Sequence, residues 1–378
     1  MKAAVNIVRV LVAVLFIVSG LVKANDPLGL SYKMEEFFEI WNASLSSGSF
    51  LVSILHTLNE YSLSLSLLMI GLEIMAGVAL LLGWKPKWVL SLLLILIIFF
   101  TFLTGYAYFS GKFKNCGCFG DCLPITPLTS FIKDVVLLVF IAFLAWKHRY
   151  INAVFSKRRE VYILVASLML TIAFQWHVLT FLPLVDCLPF KKGASIQEGM
   201  KIPSNAITDS FAMKFIYKKE GKQFEFAPEE LPADLGTYTF VDRTEKLVRQ
   251  GNAEPAIKSF SLTSLDGKDY TSSILEEEQA LLLFVLDFEG AEEWIGDFST
   301  VYQAARKKGV PIFIVSSEGA RGKILVSGLL NEEVVFLNCD RTAIRTAARV
   351  NPTLYLLSKG RVIEKEGAAK LDYITARL

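Results

Sequence analysis

Three of the chain's five cysteines fall within seven residues, as Cys116, Cys118 and Cys122 in the string Asn115-Cys116-Gly117-Cys118-Phe119-Gly120-Asp121-Cys122. Sulfurs this close, on a backbone that two glycines allow to fold back, suit thiol–disulfide exchange or metal ligation by thiolates. Cys116 and Cys118 are one residue apart, so a bridge between them closes a small strained ring, and strained bridges are the easily reduced kind. Cys187 supplies a fourth sulfur, and four cysteines pair in three ways that sequence does not rank. Three readings stay open: a relay in which one pair exchanges with another, a structural staple through Cys187, and a metal or cluster site. C-x-C-x3-C with no histidine nearby departs from the usual zinc spacings.

The elements that must position these sulfurs are apolar. Runs of spanning length cover roughly residues 4 to 22, 62 to 83, 88 to 109, 128 to 146 and 161 to 182, each near the ~20 residues that a hydrocarbon core of about 30 Å requires. Backbone amides in lipid must bond within their own segment, so five transmembrane helices are expected. Of the 378 residues 53% are hydrophobic and 20% charged; the excess apolarity sits in the first half, and the second half reads as an ordinary folded body. A cleavable signal peptide is the competing reading of the first run, which ends in Val22-Lys23-Ala24; Arg9 inside the run and Lys23 near its end oppose it. The net charge of +2, without basic runs interleaved with aromatics, excludes nucleic acid as a partner. No phosphate-binding glycine loop or nucleophile elbow is present.

Basic residues near the spans set the expected orientation. Lys147, His148, Arg149, Lys157, Arg158 and Arg159 join the fourth and fifth spans, and Lys85 and Lys87 join the second and third, so these connections are expected in the cytoplasm. The acidic segment after the first span, with Asp26, Glu35, Glu36, Glu39 and Glu60, belongs outside. Alternation then leaves the N-terminus cytoplasmic and puts the cysteine loop, Cys187 and the C-terminal half on the periplasmic side of a bacterial inner membrane, an oxidising compartment. Residues from Glu35 to Tyr61 read as one or two short interfacial helices, with Trp41 as an anchor at headgroup level. The expected partners are membrane lipid and a periplasmic or envelope protein.

Ionisable groups within spans are costly and mark partners or cavities. Glu73 lies near the middle of the second span, and Arg9 in the first is its nearest candidate partner by depth, in a structural ion pair or in a proton-relay or quinone contact. Lys133 and Asp134, at the outer end of the fourth span, are expected to shape a charged rim with Lys23 below the cysteine loop. Glu73, Arg9 and Lys133 are therefore the candidate cofactor-binding residues, with quinone as the candidate cofactor.

The string Ser19-Gly20, Lys23, Asp26-Pro27 and Gly29, followed by Leu72-Glu73, Gly77 and the Cys-Gly-Cys-Phe-Gly loop, resembles the DoxX/MauE group of redox-associated four-helix membrane proteins over about residues 1 to 150. That resemblance implies thiol oxidation or quinone-coupled electron transfer. A fifth helix and linker follow over residues 151–192, then a small β-rich adapter over 193–255, where Phe215 to Tyr217 is expected to pair with Phe224 to Phe226 across a turn at Gly221. From residue 256 to 378 strands and helices alternate, which builds a central sheet covered by helices. Pro352 ahead of a hydrophobic strand and Lys359-Gly360 resemble the TlpA-like branch of the thioredoxin fold, which implies a cis proline. Where that family carries C-x-x-C, this chain has Glu289-Gly290-Ala291-Glu292, and carboxylates do not attack disulfides. Cys339 reads as a buried, inert thiol. The expected whole is an α-helical membrane bundle followed by an α/β thioredoxin-like domain. Cys116, Cys118, Cys122 and Cys187 would carry thiol redox chemistry, and the C-terminal domain would dock a partner. The alternatives are a non-catalytic envelope scaffold and a metal- or cluster-binding membrane protein.

Overall fold

The computed structural model describes the chain except residues 46–48, 114–119, 121, 123–124, 205, 208–209, 220, 233, 250, 252 and 331–332, and except the side chains of 211–212 and 246–249. Cys116 and Cys118, and any bridge between them, lie outside the described residues. Helix α1 (Lys2–Asn25) leads into the shorter α2 (Pro27–Ala43) and α3 (Phe50–Glu60), then α4 (Ser62–Leu82), α5 (Pro86–Ser110), α6 (Pro127–Trp146) and α7 (Lys157–Phe181). Among the described residues α1, α4, α5, α6 and α7 are long and apolar enough to cross a membrane, as the five hydrophobic runs predict; the segment expected to hold one or two short helices from Glu35 holds two, the first of which already begins at Pro27.

Local chemistry fixes the helix ends. Asp26 caps α2 by accepting the Gly29 amide at 2.9 Å, with Pro27 at the first position. Thr126 accepts the Thr129 amide ahead of Pro127 at the start of α6, so the cysteine loop ends on a firm cap. Helices α1 and α4 approach closely through glycine: a Cβ on Gly20 would stand 2.5 Å from Ile74 Cγ1, and one on Gly77 3.0 Å from the Ala13 carbonyl. Small residues permit this contact where no hydrophobic effect drives helices together. Val12, Phe16, Leu93 and Ile141 fill the bundle core. Helix α1 stops short of the start of α4, because Ala24 packs on Ile70 and Ser66 Oγ donates to the Pro27 carbonyl at 2.7 Å.

Beyond α7 comes α8 (Ile196–Gly199), then β1 (Ser210–Lys219), β2 (Lys222–Phe226) and β3 (Thr239–Arg249), an antiparallel sheet of order β2-β1-β3. Phe215 faces Phe226 and Tyr217 faces Phe224, the expected pairing. The α/β body follows as β4 (Thr263–Ser264), α9 (Thr271–Glu276), β5 (Ala280–Val285), α10 (Ala291–Lys308), β6 (Ile312–Ser316), α11 (Gly319–Ser327), β7 (Val335–Asn338), α12 (Arg341–Ala347), β8 (Thr353–Ser358) and β9 (Arg361–Gly367). Its sheet runs β4-β7-β6-β5-β8-β9, with β5, β6 and β7 parallel and β8 and β9 antiparallel. Strand β5 is buried throughout: Leu282 and Phe284 face one core with α12, and Leu281 and Leu283 face the other with α10. The Asn351–Pro352 bond that enters β8 is cis. This strand order, with a cis proline at that position, is thioredoxin-like.

One boundary differs from expectation. Leu188 to Lys192 reads as linker, yet Leu188 and Phe190 are buried, and the Phe190 ring packs with Phe260, Phe284 and Tyr355 in the α/β core. The Gly193 amide donates to Val362 and the Ile196 amide to Gly360, so the segment lies along β9. Two aromatic-and-aliphatic anchors among Pro, Lys and Gly have a loop's composition but supply a core element.

Candidate functional site

Cys122 and Cys187 form a disulfide (S–S 1.93 Å, Cα–Cα 4.9 Å) that ties the α5–α6 connection to the segment leaving α7. Both cysteines are half-buried. Val22, Asn25 and Asp26 at the end of α1, together with Val185 and Asp186, wall a narrow space beside the bridge. Asn25 fixes this strap from both sides, donating to the Val185 carbonyl at 2.8 Å and accepting the Val185 amide at 3.0 Å.

The two carboxylates in that wall are neutralised from the α/β body. Arg349 Nε donates to Asp26 at 2.9 Å, and Lys365 Nζ of β9 donates to Asp186 at 2.9 Å. Lys365 is 3% exposed along its side chain; burial pulls its ammonium below the usual lysine value, and Asp186 opposes that pull. Arg345 of α12 pairs with Glu35 of α2 at 2.9 Å, and the Tyr32 ring lies 4.6 Å from the Arg345 guanidinium and 5.4 Å from that of Arg349. Burial pushes the Tyr32 phenol up, against the pull of those two arginines. The disulfide therefore sits at the seam where the cis-proline edge of the α/β body rests on α1 and α2.

The charged rim expected from Lys23, Lys133 and Asp134 exists and includes Glu73. These four line one cavity with Ser19, Phe100 and apolar neighbours. Lys23 Nζ donates to both Glu73 oxygens at 2.9 and 2.7 Å and to Ser19 at 3.2 Å. Lys133 Nζ stands 2.8 Å from Asp134, which also accepts from Thr104 at 3.1 Å. Arg9 is elsewhere, a correction to the expected pairing with Glu73: its Nη1 donates to the Asn152 carbonyl at 3.1 Å, at the opposite end of the bundle. Depth counted from span ends misleads because α1 ends beside the second turn of α4, which brings Lys23 down to Glu73. The last turns of α1 thus line both the disulfide seam and the charged cavity. Gln175 of α7 donates to the Leu67 carbonyl of α4 at 3.2 Å, an interhelical bond.

That cavity holds about 30 Å3, well short of the roughly 150 Å3 that takes a benzene ring. The residues expected to meet a quinone do not fit one in this arrangement. They enclose a small ion-paired space, and Arg9 is outside it.

In the α/β body, Gly290 and Ala291 open α10 where a thioredoxin's C-x-x-C would stand. Asn351, beside the cis proline, clamps the preceding loop by accepting the Leu286 amide at 2.9 Å and donating to the Asp287 carbonyl at 2.8 Å. Cys339 is buried, and burial pushes its thiol up to about 11, away from thiolate chemistry at neutral pH. Asp186, Arg345, Arg349 and Lys365 are seam residues that sequence reasoning missed, since ion pairs between distant segments leave no local pattern. Among the described residues no group of three His, Cys, Asp or Glu side chains is placed to hold a metal.

Residues 1–147 match the family model for the methylamine utilisation protein MauE, and residues 211–250 match a family described as a domain of unknown function, DUF8463. Protein TlpB of Flavobacterium psychrophilum is 33% identical over 88 residues, which are 22% of this chain and 24% of that protein. The chain thus spans about a quarter of that relative's length. A crystal structure of the pneumococcal exposed lipoprotein thioredoxin Etrx1 from Streptococcus pneumoniae strain TIGR4, 20% identical, aligns with 32% of this chain and 98% of its own at a TM-score of 0.25. Residues 1–147 are accordingly a MauE-like membrane bundle, and the chain is a multi-pass membrane protein whose C-terminal body has a thioredoxin-like strand order.

Proposed function

We propose that this protein is a thiol–disulfide exchange component of the bacterial inner membrane, working on its periplasmic face. The observation that carries the reading is the Cys122–Cys187 bridge at the seam of the two bodies, next to two further cysteines in the same loop. A thiolate of a partner's dithiol attacks one sulfur of the bridge; the Cys122–Cys187 bond breaks and a mixed disulfide forms. The partner's second thiolate then displaces the mixed disulfide, so the partner leaves oxidised and Cys122 and Cys187 remain as thiols. A disulfide between Cys116 and Cys118 re-oxidises them by the same exchange, with two electrons passing onto that pair. Ion pairing of Asp26 and Asp186 with Arg349 and Lys365 supports the chemistry, because unpaired carboxylates beside the sulfurs would disfavour the thiolate. No electron step is routed through quinone, for which the charged cavity lacks room. The thioredoxin-like body, without a C-x-x-C, serves as a docking element. Basic connections at the opposite end of the bundle support the assigned orientation.

The test is oxidation of a reduced dithiol peptide by the purified full chain. Up to two equivalents of peptide disulfide per chain are expected, none in Cys122→Ser with Cys187→Ser and one in Cys116→Ser with Cys118→Ser. The second reading is a non-catalytic scaffold with a structural staple, favoured by the narrowness of the space beside the bridge. A Cys122–Cys187 bridge that survives millimolar dithiothreitol in the folded protein would establish the staple and sink the exchange reading.

A further inference from the structure

At the end of the bundle opposite the disulfide, the α4–α5 turn and the end of α6 enclose a groove of about 540 Å3 whose lining includes Lys85, Lys87, Trp88, His148, Arg149 and Ile151. Among the described residues no carboxylate pairs with Lys85, Lys87 or Arg149; the ion pairs of the fold employ other basic groups. Lys85 instead lies 4.8 Å from the Trp84 ring. His148 donates from Nδ1 to the Ala145 carbonyl at 2.9 Å, and its Nε2 is buried with no partner. Concentrated positive charge with no internal counter-charge calls for an anion.

The depth of the groove says which anion. It lies where α4 ends at Leu82, α5 begins at Pro86 and α6 ends at Trp146. Trp88 is 77% exposed there and Trp146 75%, the latter with Lys147 Nζ 3.6 Å over its ring. Exposed tryptophans at helix ends mark the level of lipid headgroups. Trp88 and Ile151 also add an apolar wall, which a free phosphate would not need but a glycerol and its first acyl carbons would. We propose that this groove binds the headgroup phosphate of an anionic phospholipid, with Lys85, Lys87 and Arg149 as the contacting cations.

Native mass spectrometry of the full chain in mild detergent, offered phosphatidylglycerol and phosphatidylcholine with matched acyl chains, reads the preference. Phosphatidylglycerol is expected to be retained about tenfold over phosphatidylcholine, and Lys87→Gln or Arg149→Gln to lower that retention about fivefold each. Arg149→Lys keeps the charge and should keep the lipid, as should Lys112→Gln at the far end of the bundle; an intact Cys122–Cys187 bridge verifies that each variant has folded. Equal retention of the two lipids, or unchanged retention in both glutamine variants, overturns the proposal. So does displacement of phosphatidylglycerol by millimolar inorganic phosphate, which would identify a free-anion site instead.

Discussion

Lys23 has three ammonium protons and three acceptors, Ser19 Oγ and both oxygens of Glu73, with the side chains of the ion pair 5% and 4% exposed. Taking two charges out of water costs several kcal/mol per ion, offset only while both partners are present. Lys23→Met or Glu73→Leu alone is therefore expected to destabilise the bundle by about 3–5 kcal/mol, and the double variant to recover most of that loss. Thermal unfolding of the four proteins in detergent measures it; strictly additive losses would mean that the two groups do not act as a pair. Cys339 allows a pH test. Its thiol is raised from 9.0 to about 11 by burial, so the folded state holds the proton over that interval while the unfolded state releases it. The contribution is complete below pH 9 and fades as pH rises toward 11. Cys339→Ala should flatten the fall in stability across that window, and alkylation of Cys339 in the folded wild type should be negligible at pH 8. Of these residues, Glu73 was legible as a costly charge in a hydrophobic run, and Lys23, Lys133 and Asp134 as a charged rim, though not as the surroundings of Glu73. The partner of Glu73 was not, because pairing depends on how far α1 slides along α4.

That slide is set by two glycines. A Cβ at Gly77 would meet Ile17 Cγ1 at 2.8 Å and the Ala13 carbonyl at 3.0 Å, and backbone cannot swing aside as a side-chain tip can. Gly77→Leu is expected to push α1 from α4, cost about 1–3 kcal/mol by overpacking, and loosen the Lys23–Glu73 contact one turn away. Hydrogen–deuterium exchange over residues 13 to 24 should rise in this variant, whereas Gly71→Leu, at a position with open space around it, should change little. Helices as elements were readable because hydropathy is local: all five long apolar runs needed nothing from elsewhere in the chain. The strand alternation of the α/β body and the cis bond at Pro352 were readable for the same reason. The strap from Leu188 to Ile196 was not, since only the tertiary pocket formed by Phe260, Phe284 and Tyr355 turns Phe190 into core.

The two bodies are joined by ion pairs and hydrogen bonds: Arg345 on Glu35, Arg349 on Asp26, Lys365 on Asp186, and Asn25 on the Val185 backbone. Asp26 and Arg349 are 323 positions apart, a separation at which no periodicity or spacing rule reports a contact. Because Asp26 and Asp186 also wall the disulfide, undocking the seam is expected to open the bridge to a reductant. Reversing charge with Arg345→Glu and Arg349→Glu sets like charges against Glu35 and Asp26 and leaves Asp26 unpaired, a loss in the range of about 3–5 kcal/mol for a largely buried pair. The α/β body keeps its own core in such a variant, so the expected outcome is undocking rather than unfolding. Proteolysis would then cut near residues 183–187 while the C-terminal fragment stays resistant, and dithiothreitol would reduce Cys122–Cys187 faster than in the wild type. Adding Glu35→Arg to the Arg345→Glu variant restores one pair in swapped form and should return the reduction rate toward that of the wild type. Salt should act in the same direction as the reversal, but weakly, since the Debye length of about 3 Å at 1 M screens exposed charges far better than the buried Lys365. A reduction rate indifferent to both charge reversal and repair would mean that the docked body does not guard the bridge, and that the sulfurs are reached from the loop side alone.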